Sequence, residues 1–289
     1  MAILRKLALA VLCATAWAAA FAQSRVVGDS LPSPLLRGPV RYCVILPPSY
    51  DAQKTRKYPV LYFLHGLGDH EDALISSGAW NIAEQQRASG QTGEMILATP
   101  DAGASFYINA RNGNPRYEDF FMREFVPAIE RRYRGMGTRS GRGITGLSMG
   151  GYGALHLAFK YPQMFAAVAA QMPALYDELT PALATAVGAR LLRSVTAFGS
   201  PPSEDFWRQN NPLILASTNA SRLRGLRIYF DCGDRDDYGF DAGARSLDHI
   251  LSQKGVAHEF HIYPGRHDWT YVAAHFPEVL RLEWQAMGK

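Results

Sequence analysis

Residues Gly146-Leu147-Ser148-Met149-Gly150-Gly151 place a serine among glycines, between a short apolar run at 142–145 and a helix-like run at 152–161. A G-x-S-x-G pattern at such a junction demands a sharp strand-to-helix turn. The serine there sits in strained backbone, and only glycine neighbours allow the approach of adjacent main chain. The helix that follows points its free N–H groups and the positive end of its dipole at the turn, which favours negative charge there. Ser148 is therefore the candidate nucleophile. Ordinary turns use the same residue types, so the surroundings must decide.

Those surroundings alternate. Short apolar runs predict strands at 40–46, 60–65, 94–99, 142–145, 165–171, 227–232 and 258–263. Helical periodicity predicts helices at 80–89, 117–133, 150–161, 241–254 and 271–287. In the second helix Phe121, Phe125, Ile129 and Arg132 recur at helical spacing, a stripe that faces a sheet. Strands alternating with long helices predict an α/β fold with a mostly parallel central sheet covered on both faces. Residues 23–38, punctuated by Pro and Gly, read as an extended arm. Residues 174–224 break the rhythm between two strands. A long insertion at that edge is expected to act as a lid or pocket wall, with a helical stretch at 179–194 and an apolar lining of Phe198, Phe206, Trp207 and Leu213. A packing satellite without substrate contact is the plainer alternative.

A serine nucleophile needs a base, and the base an acid that orients it. Downstream, an apolar run ends in Gly233-Asp234-Arg235-Asp236-Asp237, and the following one in Pro264-Gly265-Arg266-His267-Asp268. Both turns follow predicted strands, at the edge where Ser148 is expected, and the order Ser, Asp, His is that of one known triad arrangement. His267 is the candidate base. His156, His249 and His275 fall within helices, and His258 and His261 within a strand. Asp236 is the candidate acid, with Asp234 and Asp237 as rivals, since turn aspartates often bond their own backbone. Two N–H donors are needed for an oxyanion. Met149 supplies one, and the loop Leu64-His65-Gly66-Leu67-Gly68-Asp69 the other, from Leu67 or alternatively Gly66. The run His65, Asp69, His70, Glu71, Asp72 matches no zinc or calcium spacing, so no metal and no cofactor are expected.

Residues 1–22 read as a secretory leader. Arg5 and Lys6 precede an apolar stretch, and Ala20-Phe21-Ala22 forms a small-residue cleavage site. The protein is expected to be exported, periplasmic or secreted, with residues 23–289 forming one domain of about 265 residues. The formal charge of +4 is near +2 without Arg5 and Lys6, and no basic stripe with interleaved aromatics marks a nucleic-acid partner. No segment signals stable membrane insertion. Cys43 and Cys232 lie in apolar strand-like runs without metal or redox spacing, and read more readily as buried thiols than as a pair. Trp80, Phe106, Tyr107, Trp207 and Trp269 are equally readable as substrate-stacking groups or as core.

Several motifs together resemble one family. They are 58–68 (YPVLYFLHGLG), 100–103 (PDAG), 146–154 (GLSMGGYGA), 211–213 (NPL), 232–236 (CGDRD) and 265–268 (GRHD). They resemble the "putative esterase" branch of the α/β-hydrolase superfamily, whose members include feruloyl and acetyl xylan esterases, S-formylglutathione hydrolase, enterochelin esterase and the antigen 85 mycolyltransferases. The resemblance covers nearly all of residues 23–289. It implies an α/β-hydrolase fold and a serine ester hydrolase acting on short-chain acyl esters or on feruloyl- or acetyl-carbohydrate esters. It assigns Ser148 as nucleophile, His267 as base, Asp236 as acid, and Leu67 and Met149 as oxyanion donors. At 100–102 the chain reads Pro-Asp-Ala where the feruloyl esterases usually carry Pro-Asp-Gly. An acyltransferase on the same residues, or a non-catalytic binding protein on the same scaffold, remain the alternatives.

Overall fold

A computed structural model describes residues 24–179 and 195–287. The leader expected at 1–22 and most of the helical stretch expected at 179–194 lie outside the described residues.

Eight strands form one sheet in the order β1-β2-β4-β3-β5-β6-β7-β8. They are β1 (Arg25–Ser33), β2 (Gly38–Leu46), β3 (Val60–Leu64), β4 (Ile96–Pro100), β5 (Arg142–Leu147), β6 (Ala167–Gln171), β7 (Arg227–Gly233) and β8 (Glu259–Tyr263). β1, β2 and β4 pair antiparallel, and the remaining pairs are parallel. The parallel strands β3, β4 and β6 are buried along their whole length, as strands covered on both faces must be.

The seven predicted strands occur within about two residues of their expected bounds. β1 is the correction. Residues 23–38, read as an arm, instead form a hairpin with β2, from Arg25 opposite Leu46 to Ser33 opposite Gly38. Its sequence, RVVGDSLPS, lacks a continuous apolar run because the strand lies at the sheet edge and is largely open to water.

The helices are α1 (Ala79–Ala88), α2, α3 (Met149–Lys160), α4 (Glu204–Asn210), α5 (Pro212–Thr218), α6 (Phe240–Gln253) and α7 (Trp269–Ala286). α2 runs from Tyr117–Phe120 through a π turn, Phe121–Phe125, into Val126–Arg132. Pro127 has no N–H to offer the preceding turn, and the widened turn sits just before it. Tyr62 and Phe63 show how the sheet is covered. Adjacent on β3, they point to opposite faces. Tyr62 meets Phe121 and Phe125 of α2 edge-on, whereas Phe63 meets Phe276 of α7. Within α2, Phe121, Phe125 and Ile129 are buried, and Arg132 reaches the Tyr42 hydroxyl at 2.9 Å. Cys43 and Cys232 are buried free thiols.

Two packing features constrain the centre. A Cβ on Gly150 would lie 1.9 Å from the Leu64 carbonyl oxygen, and one on Gly146 2.4 Å from the Gly150 oxygen. No neighbouring side chain can yield there, because the contacts are main chain. The second feature is Asp231 on β7, wholly buried, whose Oδ1 accepts the Tyr271 hydroxyl at 2.9 Å and whose charged form the Tyr229 hydroxyl also favours. Burial pushes this carboxyl up to about 7.

Gly150→Ala is expected to cost at least about 2 kcal/mol in urea unfolding. Gly28→Ala, which meets nothing within 4 Å on exposed β1, stays within about 0.5 kcal/mol. The raised pKa of Asp231 means the folded chain keeps a proton that the unfolded chain releases. Its contribution is complete at low pH and is lost as pH rises through about 7. The melting temperature of the native sequence is therefore expected to fall between pH 5 and 8, and Asp231→Asn to flatten that fall by more than about 3 °C in calorimetry.

Candidate active site

Ser148 sits between β5 and α3 with φ 55° and ψ −118°. Left-handed backbone at a non-glycine residue is strained, and it must be held. Here the Ser148 N–H donates to the Gln171 carbonyl at 3.0 Å, and the Ser148 carbonyl accepts from Tyr152 at 2.9 Å and Ala174 at 3.0 Å. β6 and the first turn of α3 thus fix the serine from both sides.

The His267 ring lies beside it. Nε2 stands 3.0 Å from the Ser148 hydroxyl oxygen, and Nδ1 stands 2.6 Å from Asp236 Oδ2. Since a carboxylate only accepts, Nδ1 carries the proton toward Asp236, which leaves Nε2 to accept from the serine. Asp236 is fully buried, and its Oδ1 accepts the N–H of Tyr238 at 2.9 Å and of Phe240 at 3.3 Å. Tyr238 and Phe240 then meet the imidazole edge-on, with centroids 4.7 and 5.4 Å away. Sequence reasoning passed over both. Their only signal was aromatic spacing two and four residues after the acid.

The three neighbouring aspartates have separate partners. Asp234 accepts the Gly265 N–H at 2.9 Å, tying the two loops together, and this bond holds its carboxyl below the usual range. Asp237 pairs with Arg266 and accepts the His267 N–H at 3.2 Å, and the guanidinium likewise holds it low. Asp236 alone of the three touches the imidazole. The loops cross closely enough that a Cβ on Gly233 would lie 2.6 Å from the Gly265 carbonyl oxygen. Asp268 closes the second loop by capping α7, accepting the Tyr271 N–H at 2.9 Å.

Leu67 and Met149 flank the serine, and among the described residues neither main-chain N–H has an acceptor. The Leu67 loop is held by His65, which is fully buried. His65 Nδ1 lies 2.8 Å from the Gly66 carbonyl, and Nε2 accepts the Ala102 N–H at 2.9 Å. Burial lowers the pKa of this histidine, which keeps the ring neutral for that bridge. Ala102 needs no left-handed backbone; Gly103 takes it instead, at φ 51°, so Pro-Asp-Ala fits here. A Cβ on Gly66 would lie 2.9 Å from the Leu147 side chain and 3.7 Å from the Ser148 Cβ, which accounts for glycine at that point.

The cluster first weighed for a metal divides. His65 faces the Gly66–Ala102 bridge. His70, Glu71 and Asp101 bring donor atoms within 4.8 Å of one another. Arg41 already reaches into that group, 3.2 Å from Glu71 and 3.1 Å from Asp101, and supplies its positive charge.

A cavity of about 220 Å³ opens beside Ser148. Its apolar walls are Leu67, Met172, Tyr238, Phe240, Trp269 and Val272. No described residue of the 174–224 insertion lines it. Phe198, Trp207 and Leu213, expected as lining, are buried instead, Phe206 is half-buried against the core, and Phe198 packs against Phe106, Tyr152 and Trp207. Phe106 and Tyr107 are likewise core, and Trp80 lines a separate shallow pocket against α1 and β4. Trp269 is the one of the five candidate aromatics that faces the serine's cavity. The insertion is anchored to α3 through the Asn210 carbonyl, which accepts from Tyr152 Oη and bonds His156 Nδ1, both at 2.8 Å. His156 Nε2 meets Glu118 at 2.8 Å.

Comparison with known proteins bears on this geometry. Residues 33–282 match the family described as "Putative esterase". Esterase MT1326 of Mycobacterium tuberculosis is 30% identical over 262 residues, covering 83% of this chain and 54% of that protein. The chain thus spans about half the length of the curated relatives it matches. A solved ferulic acid esterase is 31% identical, with a TM-score of 0.78 and coverage of 92% and 99% of the two chains. An S-formylglutathione hydrolase from Agrobacterium tumefaciens, 18% identical, shares the fold with a TM-score of 0.74 over 92% of this chain and 97% of its own. The architecture is that of the α/β-hydrolases, and the chain belongs to the esterase family.

Proposed function

We propose that this chain is a serine carboxylic ester hydrolase, exported by its leader, with Ser148, His267 and Asp236 as its catalytic triad. The observation that carries the reading is the continuous contact from Asp236 through His267 to Ser148, at 2.6 and 3.0 Å, with the histidine and the serine lining the cavity. The family match and the likeness to a ferulic acid esterase support the same reaction class.

In the reaction, His267 Nε2 takes the hydroxyl proton as Ser148 Oγ attacks the ester carbonyl. Buried Asp236 holds the ring in the required tautomer and stabilises its charged form. The tetrahedral oxyanion receives the N–H groups of Leu67 and Met149, each worth roughly 3 kcal/mol of barrier. Collapse returns the proton from His267 to the departing alcohol and leaves an acyl-serine. Water, deprotonated by the same nitrogen, then releases the acid and restores the serine. The cavity, below the roughly 300–1,000 Å³ of sites that enclose drug-sized ligands, favours short acyl groups, with Trp269, Tyr238 and Phe240 available to an aromatic one.

Ser148→Ala is expected to lower turnover of p-nitrophenyl acetate and butyrate by about 10⁴-fold or more, and to abolish labelling by a fluorophosphonate probe. Retention of most activity would remove Ser148 from the chemistry. Single Asn replacements separate the acids. Asp236→Asn is expected to cost about 10³–10⁴-fold in kcat, whereas Asp234→Asn and Asp237→Asn, which act on loop geometry, cost less than about tenfold.

A further inference from the structure

Two carboxylates, Asp69 and Asp268, line the cavity beside Ser148, and among the described residues no Lys or Arg does. The arginines nearby are engaged elsewhere. Arg266 pairs with Asp237, Arg235 with Asp234, and Arg41 with Glu71 and Asp101. The two carboxylates are not equivalent. Asp268 is exposed and caps α7. Asp69 is half-buried on the wall formed by the Leu67 loop, where its own N–H donates to the Gly66 carbonyl at 3.2 Å and closes the turn. Its Oδ2 lies 3.2 Å from the point a Gly66 Cβ would occupy, a point itself 3.7 Å from the Ser148 Cβ. The Asp69 carboxylate therefore stands within about 7 Å of the Ser148 Cβ, inside a Debye length and behind apolar walls that limit screening. Burial raises its pKa, while the His65 ring, the Gly66 amide, the His70 ring and the Trp269 indole favour its charged form.

We propose that Asp69 acts as a charge filter on the substrate, so that the cleft takes esters that are neutral or cationic around the reacting carbonyl and rejects those carrying a carboxylate or phosphate there. The proposal rests on the hydrolase reading above. An anionic group entering the cleft meets a partly desolvated carboxylate and, among the described lining residues, no Lys or Arg to offset it, which raises the energy of every state from encounter to tetrahedral intermediate. A cationic group gains the ion pair that no protein cation supplies.

The test uses matched esters with the charge placed at either end. 4-Acetoxybenzoate is compared with 4-acetoxybenzamide, and phenyl hydrogen succinate with phenyl butyrate. Each kcat/KM is divided by the ester's alkaline hydrolysis rate to remove intrinsic reactivity. The native sequence is expected to disfavour the anionic member of at least one pair by about tenfold or more. Asp69→Asn, and independently Asp69→Ser, are expected to narrow that ratio to within about threefold. Asp268→Asn, at an exposed position, moves it less. Turnover of both members of both pairs at equal normalised rates would overturn the filter alone, as would discrimination that survives both Asp69 variants. Absence of turnover on all four esters would overturn the hydrolase reading, and the filter with it.

Discussion

The main chain around Gly150 lies closer to the carbonyl of Leu64 than any side chain permits. That approach brings β5, the turn and the start of α3 down onto β3, and it determines where Ser148 stands. The serine's left-handed backbone follows from the sharpness of the turn, and the bonds from Gln171, Tyr152 and Ala174 hold it there. The Leu67 loop leaves the end of the same β3 strand. One steric constraint therefore helps set where the serine stands relative to the loop that leaves β3.

The other half of the site depends on a crossing of loops rather than on a single strand. The segments after β7 and β8 share the Asp234–Gly265 bond, the Asp237 contacts to Arg266 and His267, and the Asp236–His267 bond. Each aspartate closes a different gap between the same two loops. The imidazole consequently has its ring plane fixed by aromatic edges, its backbone by Asp237 and its outer nitrogen by Asp236. Positioning to a few tenths of an ångström of this kind is what proton transfer between heavy atoms requires.

Much of this was legible in the sequence, and the exceptions have physical causes. Strands buried on both faces, such as β3, β4 and β6, announce themselves as apolar runs, and the half-buried edge strand β8 keeps enough apolar residues to be readable as well. β1 was not, because an edge strand shows water one side and carries polar residues and a proline. The loops carrying Ser148, His267 and the three aspartates were readable from Gly punctuation at strand ends. The sequence did not separate the aspartates, because their difference lies in partners some thirty residues away. Aromatic residues were the least legible. Phe198 and Trp207 look the same in sequence as Trp269, yet the first two fill the interior and the last faces the cleft. Burial depends on the path of the insertion, which local pattern does not encode.

The attachment of that insertion has an engineering consequence. Asn210 ends α4, where a carbonyl has no partner within its own helix. Its oxygen serves both Tyr152 and His156, one turn and two turns along the helix that begins at the serine. A segment grafted from a relative in place of 174–224 would have to present a carbonyl at the same spot. Without it, a buried hydroxyl and a buried imidazole would each lose a partner on the helix that begins just after Ser148. Exchange of this insertion between relatives is thus limited by one oxygen atom at its exit, whatever the rest of the segment contributes to the choice of substrate.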